Sequence, residues 1–341
     1  MRDTLSGWVL LAALAAGTTG CGSFMARRMG QAPNTYPTWF APKPRVLLDF
    51  HPNFLTNFPA HTVDVGPPPA RLRYRVVEPA DYLMSVTPTN WIERGRTRFT
   101  FDVRASLPGR SNAWTARPRG TVVLLHGYAL SQFAMAPWAI RLAEEGWRCV
   151  LVDLRGHGKS TGRRIYYGTR EARDLSQLLD QLDRDGRLAG PVAAMGESYG
   201  AALALRWKTA EPRVKSVVAI APYAGLSNAV LNLSHEYSSW MPDGFLRAGL
   251  RKLPTVLNIL PEELDTTSLL TKTPVAALFV AAAEDKITPV AEVTRLYKLA
   301  APESKLIVVP NASHEAVTYF FDDLGPPVSA WLLESNRTTV R

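Results

Sequence analysis

The stretch Val192-Ala193-Ala194-Met195-Gly196-Glu197-Ser198-Tyr199-Gly200-Ala201-Ala202-Leu203-Ala204-Leu205 decides the reading of this chain. Its first four residues are a short apolar run suited to a buried strand, and its last five are good helix formers. Between them a serine stands with a glycine two positions to either side. A turn sharp enough to join strand to helix there leaves no room for a bulky side chain at 196 or 200. Its strain lifts the serine oxygen clear of the backbone, where a base reaches it. The bare G-x-S-x-G pattern is weak; the strand before it and the helix after it mark Ser198 as a candidate nucleophile.

A serine hydroxyl is a poor nucleophile until a base takes its proton, and that base needs an orienting carboxylate. The chain has six histidines. His51 and His61 lie in a proline-rich N-terminal stretch, His126 and His157 follow early strands, and His235 falls within a long helical insertion. Only His314 follows the last predicted strand, in Val309-Pro310-Asn311-Ala312-Ser313-His314-Glu315. In the chain order Ser, acid, His it is the natural base. For the acid, Glu284 and Asp285 both follow one strand. Asp285 is favoured because Asp285-Lys286-Ile287-Thr288-Pro289 makes a tight strand exit with a proline opening the next helix, whereas Glu284 reads as a solvated loop charge. The developing oxyanion needs N–H donors. The amide of Tyr199 supplies one, and the loop His126-Gly127-Tyr128 the other, through the amide of Tyr128.

Working outward, continuous apolar runs predict buried parallel strands at Thr121–Leu125, Cys149–Val152, Val192–Met195, Val214–Ile220, Val275–Ala281 and Lys305–Val309. Arg71–Val77 and Arg98–Val103 alternate polar and apolar residues, as edge strands with one wet face do. Helical patterns lie between: Leu175, Leu178, Leu179 and Leu182 share a face, and Met135–Glu145 stops at Gly146. This alternation predicts an α/β fold, a mostly parallel sheet with helices on both faces. One connection, Tyr223–Thr273, is far too long for a loop and carries Leu231, Trp240, Phe245, Leu246, Leu250, Leu253, Val256, Leu257 and Leu260. It reads as an inserted cap of short helices, about 224–272, in a domain spanning 70–341.

The N-terminus is of another kind. Arg2 precedes an apolar run, Trp8–Ala16, then Gly17-Thr18-Thr19-Gly20-Cys21. The run is too short to span a bilayer and suits the core of a signal peptide. Small residues leading into a cysteine resemble a bacterial lipoprotein signal, residues 1–21, with Cys21 as the lipidated mature N-terminus. Thr18 stands where such signals usually place leucine, and Ala13-Leu14-Ala15 offers a competing cleavage site. The expectation is an exported lipoprotein, anchored to a membrane and facing the periplasm or the cell exterior. Residues 22–69 hold nine prolines and read as a tether, with Trp39, Phe40, Leu47, Leu48, Phe50, Phe54 and Phe58 clinging to the domain or to lipid. Cys149, the one other cysteine, sits in a strand and leaves no internal disulfide to form.

Net charge is +9, with 14 Lys and Arg against 6 Asp and Glu over residues 22–119. Such a segment suits an anionic lipid surface or a solvated face. No nucleic-acid-binding motif accompanies it. Gly158-Lys159-Ser160 ends like a phosphate-binding loop, but Asp153 occupies the place of the first glycine. No Cys/His cluster has metal spacing, so neither metal nor cofactor is expected.

Taken together, His126-Gly127, Asp153-Leu154-Arg155-Gly156-His157-Gly158-Lys159-Ser160, the Ser198 turn, Asp285 and His314 resemble the α/β-hydrolase superfamily, nearest the branch of monoacylglycerol lipases and lysophospholipases. The resemblance covers about residues 95–335. It implies an eight-stranded sheet, a cap between the sixth and seventh strands, a pocket beneath that cap, and a structural place for His157. An aspartate nucleophile, found in dehalogenases and epoxide hydrolases of this fold, is disfavoured because Ser198 holds the position. The implied activity is hydrolysis of carboxylic esters of lipid or other hydrophobic acyl groups. Peptidase, amidase and thioesterase chemistry use the same machinery, and a non-catalytic lipid-binding protein shares the fold.

Overall fold

The computed structural model describes residues 20–36, 46–50, 58–91, 96–105 and 117–337. Eleven strands are found among them: β1 (Val46–Phe50), β2 (Ala60–Val65), β3 (Ala70–Val77), β4 (Tyr82–Trp91), β5 (Arg96–Ala105), β6 (Thr121–Leu125), β7 (Arg148–Asp153), β8 (Val192–Glu197), β9 (Val214–Ile220), β10 (Leu278–Ala282) and β11 (Lys305–Val309). Eight of them form one sheet in the order β11-β10-β9-β8-β6-β7-β3-β2. From β7 to β11 the neighbours are parallel; β3 is antiparallel to both β7 and β2. The other three make a small sheet, β1-β5-β4.

The central strands read as unbroken apolar runs because both of their faces are covered. On one face pack α2 (Ala136–Glu144) and α9 (Phe321–Arg337), where Trp138, Ile140, Leu142, Leu324 and Trp331 meet Val122, Leu124 and Leu151. The other face carries α3 (Glu171–Arg184), α4 (Tyr199–Ala210) and α8 (Val290–Leu299), meeting Val123, Leu125, Val150 and Ala194. The four spaced leucines of α3 are fully buried, each stabilising the fold by roughly 1.5–3 kcal/mol relative to an exposed side chain. Helix α2 stops at Gly146, which takes a left-handed conformation at φ 94°.

Between β9 and β10, the sixth and seventh strands of the main sheet, lies the cap. It comprises α5 (Leu226–Tyr237), α6 (Asp243–Leu257) and α7 (Thr266–Lys272). Leu231, Leu246, Leu250, Leu253 and Leu257 turn inward, whereas Trp240, Phe245 and Leu260 stay exposed.

Three expectations need correction. Neither alternating strand is an edge: β3 runs between β2 and β7, and β5 between β1 and β4. Alternation reports a wet face rather than a missing neighbour, and in β3 it separates buried Leu72 and Tyr74 from Arg71, Arg73 and Arg75. Strand β10 starts at Leu278, not Val275, because residues 275–277 bond to the loop before β11; Ala301 N donates to Val275 O, and Ala277 N to Ser304 Oγ. The stretch 22–69 is not simply a tether. Ala60–Val65 already belongs to the main sheet, and residues 20–29 form a helix, α1, lying on α6. A Cβ added at Gly249 of α6 would come within 2.6 Å of Met25, and one at Gly22 within 3.1 Å of the Ala248 carbonyl. Residues 30–36 then strap across the loop after β7. Ala32 N donates to Arg163 O, Asn34 N to Gly156 O, and Asn34 Nδ2 to Ser160 O. Residues 1–19 of the predicted leader, and Trp39, Phe40 and Phe54, lie outside the described residues, whereas Cys21 falls in α1.

Candidate active site

Ser198 caps α4 at φ 50° and ψ −112°, a conformation that costs a non-glycine residue about 1–3 kcal/mol. The surroundings hold it there: Ser198 N donates to Ile220 O at 2.8 Å, and Ala201 N and Ala202 N both donate to Ser198 O at 3.1 Å. The flanking glycines are required sterically. A Cβ at Gly196 would stand 2.3 Å from the Gly200 carbonyl, and one at Gly200 2.3 Å from Leu125 O. Since both obstacles are backbone, Gly200→Ala should destabilise the fold by about 3 kcal/mol, read as a lowered midpoint in urea unfolding. An unchanged midpoint would mean that the turn relaxes freely.

The loops after β10 and β11 deliver the other two groups. His314 Nε2 lies 2.9 Å from Ser198 Oγ, and His314 Nδ1 lies 2.7 Å from Asp285 Oδ2. Asp285 is itself fixed. Its Oδ1 accepts the amides of Ile287 and Thr288, each at 2.7 Å, and Oδ2 also accepts the Thr288 hydroxyl at 2.7 Å. Burial works against charge on both partners, yet their hydrogen bond and mutual attraction outweigh it, holding the Asp285 carboxyl below the usual carboxylate range and His314 above the usual histidine range. Glu284 takes no place in this chain of bonds; its amide donates to Ala312 O, tying the two loops together.

Opposite the serine, the turn after β6 carries Gly127 and Tyr128. Among the described residues the Tyr128 amide meets no protein acceptor, and Tyr199, as first residue of α4, has an N–H with no intrahelical partner. The rings of Tyr128, His157 and Tyr199 cluster with centroids 5.6–6.5 Å apart. His126 and His157 are buried. His126 Nε2 accepts the Leu154 amide, so its Nδ1 carries the proton that Gly127 O accepts. Burial lowers His126 to about 4 and His157 to about 3, so both stay neutral. Neither touches Ser198. In the same loop the Asp153 carboxylate accepts the amides of Gln132 and Lys159, which makes the Asp153–Ser160 turn a scaffold.

Three contacts escaped the sequence reading. Glu197, buried beside the serine, accepts the Gly127 amide at 3.2 Å and the Thr318 hydroxyl at 2.7 Å, so it braces the turn that carries Tyr128. Thr288 bridges Asp285 and the Ala221 carbonyl. Tyr36, from the strap, sets its hydroxyl 2.9 Å from that of Tyr128 and 3.0 Å from Arg28 O, linking the N-terminal segment to the same turn. Glu197 was readable as the polar residue at the end of an apolar strand; Tyr36 had no local signal. From the cap, Tyr237 hydrogen-bonds Glu315, and Asn232 Nδ2 donates to Ile287 O at 3.0 Å. A cleft of about 740 Å³ runs between α5, α6 and α8, lined by Leu226, Leu250, Pro254 and Glu292 among others, but it does not include Ser198. No group of three potential metal ligands occurs among the described residues.

A parallel sheet with a serine turn after β8, a cap after β9 and acid and histidine loops after β10 and β11 is one known architecture, and residues 116–266 match the family described as Serine aminopeptidase, S33. The chain has the α/β-hydrolase fold. Among solved α/β-hydrolases it is similar to the esterase Pf2001 of Pyrococcus furiosus, with a TM-score of 0.58 and 20% identity over 86% of this chain and 99% of that one. It is 25% identical to the uncharacterized protein YqkD of Bacillus subtilis over 210 residues, 58% of this chain. Shorter stretches match epoxide hydrolase B of Mycobacterium tuberculosis, 33% identical over 106 residues, and a monoacylglycerol lipase of Mycolicibacterium smegmatis, 35% over 88; these cover 30% and 25% of this chain. The matches span 66%, 29% and 26% of the three relatives' own lengths.

Proposed function

We propose that this α/β-hydrolase is a serine ester hydrolase acting on hydrophobic acyl esters, held at a membrane through Cys21. The observation that carries the chemistry is the unbroken chain from Ser198 Oγ through His314 to Asp285, at 2.9 and 2.7 Å. His314 Nε2 takes the hydroxyl proton as Ser198 Oγ attacks the acyl carbonyl. The amides of Tyr128 and Tyr199 receive the oxyanion, each such donor typically contributing about 10²–10³ to turnover. His314 then returns the proton to the departing alcohol, and water, deprotonated by the same imidazole, releases the acid. Asp285 holds the ring and stabilises the imidazolium.

The apolar cap supports a hydrophobic acyl group, and a lipoprotein-like leader ending at Cys21 supports a membrane setting. A panel of p-nitrophenyl esters of increasing chain length, run beside amino-acid p-nitroanilides, tests this reading. Rates should rise with acyl length. Equal rates at every length would count against a long acyl site, and faster anilide cleavage would favour the peptidase chemistry that the S33 description suggests.

Because the base must be neutral to act and Asp285 raises it above 6.5, activity should fall as the solution is acidified through a midpoint above that value. A pH profile of kcat/KM with no acid limb in the histidine range would remove His314 from the role of base.

A further inference from the structure

Six large apolar side chains stand most exposed among the described residues, and four of them fall on α1 or along the cap. Phe24 is 64% exposed on α1; Trp240, at 74%, precedes α6; Phe245, at 41%, lies in its first turn; Leu260, at 59%, follows its end. Large apolar side chains left this exposed are candidates for contact with another surface. The contacts Gly22–Ala248, Met25–Gly249 and Gly30–Leu257 set α1 alongside α6 and pointing the same way. Cys21 and Phe24 therefore lie toward the end of α6 that carries Phe245. Helix α6, at 15 residues, is about 22 Å long, so its apolar side chains mark both ends of a rod.

The same two helices carry exposed cations. Arg27 projects from α1, and Arg251 and Lys252 from α6; among the described residues none of the three enters an ion pair. Arg247 is partly matched by Asp243, 3.6 Å away. Apolar side chains flanked by unpaired basic ones, on helices lying side by side, are what an interfacial helix presents to anionic lipid. No helix among the described residues is long and apolar enough to cross a membrane, which fits contact along the surface rather than passage through it.

We propose that α1 and α6 together form a docking surface for an anionic phospholipid bilayer. Phe24, Trp240, Phe245 and Leu260 enter the headgroup region, and Arg27, Arg251 and Lys252 meet lipid phosphates. The proposal rests on the membrane-anchored reading above, because an anchor at Cys21 would press this helix pair, rather than the far sheet edge, against the lipid. It also adds a consequence. Helix α5 of the same cap is bonded to the acid and histidine loops through Asn232 and Tyr237, so the lipid surface would lie one helix away from the serine site.

The test uses the full chain carrying Cys21→Ala, which removes the site of lipid attachment, and flotation with phosphatidylglycerol-rich or pure phosphatidylcholine vesicles. The leader is common to all variants, so differences between variants carry the result. Combining Phe24→Ala, Trp240→Ala and Phe245→Ala should lower partitioning onto both vesicles by about tenfold or more. Combining Arg251→Gln and Lys252→Gln should lower it roughly fivefold per charge on the anionic vesicles and leave the neutral ones unchanged. Hydrogen exchange on the anionic vesicles should slow over 20–29 and 240–260. All variants should hydrolyse a short soluble ester at the parental rate in lipid-free buffer, since the exposed side chains touch no part of the serine site. Variants that float like the parent, or protection that falls elsewhere, would overturn the proposal. A chain that floats as expected yet cleaves no ester would sink the hydrolase reading and leave the docking surface standing.

Discussion

Replacing Ser198 with alanine should lower kcat by about 10⁶-fold on whichever ester the chain hydrolyses best, since removing a triad nucleophile elsewhere costs that much. The substitution removes one oxygen atom from a partly exposed position. Neither the bond from Ser198 N to Ile220 O nor those to its carbonyl depends on the side chain, so the turn should keep its shape. KM should change little. Adding His314→Ala to Ser198→Ala should cost nothing further, because the two act as a unit. A Ser198→Ala chain that keeps even a hundredth of the parental rate would place the chemistry elsewhere.

Asp285→Asn should cost about 10⁴ in kcat, and the hydrogen bonds around the carboxylate give the reason. In the parent, Oδ1 accepts two backbone amides and Oδ2 accepts His314 and the Thr288 hydroxyl. An asparagine has one oxygen and one NH₂. The two amides at 2.7 Å are fixed donors, so the oxygen turns toward them and the NH₂ toward His314. That nitrogen donates where the parent carboxylate accepts. The imidazole must then present an unprotonated Nδ1, which puts its proton on Nε2, the atom that has to receive one from Ser198. The loss is one of tautomer, with the fold intact. Because the carboxylate that raises His314 is also gone, any residual activity should titrate at lower pH than the parent. A residual rate within tenfold of the parent, with the acid limb unmoved, would show that Asp285 does not orient the histidine; Glu284→Gln would then be the informative variant.

Much of this site could be read from the chain because each catalytic candidate sits at a strand exit, where local signals are strong. Gly196 and Gly200 are there because a backbone atom lies 2.3 Å from where a Cβ would go at each, and an apolar run before them sets the direction of the turn. Asp285 and His314 were each singled out by position after a strand, and the structure brings both to Ser198. The cap was legible as an excess of chain length with helical periodicity. What could not be read depends on partners far away in sequence. Alternation in Arg71–Val77 told which face was wet and nothing about a second neighbour, so β3 was misplaced at an edge. Prolines in residues 22–69 suggested a loose connection, yet small residues on both α1 and α6, Gly22 and Gly249, let the two helices approach closely. Tyr36 reaches Tyr128 across 92 positions, and no local pattern encodes that.

The most direct test is to treat the full chain with a fluorophosphonate probe and map the adduct by mass spectrometry of the digested protein. Such a probe bonds covalently only to a serine whose proton is being drawn away beside an oxyanion site. One adduct, on the peptide bearing Ser198, is expected, absent from Ser198→Ala and strongly slowed in Asp285→Asn. A folded chain that takes up no label at residue 198, or takes it up equally well without Asp285, would contradict the serine hydrolase account.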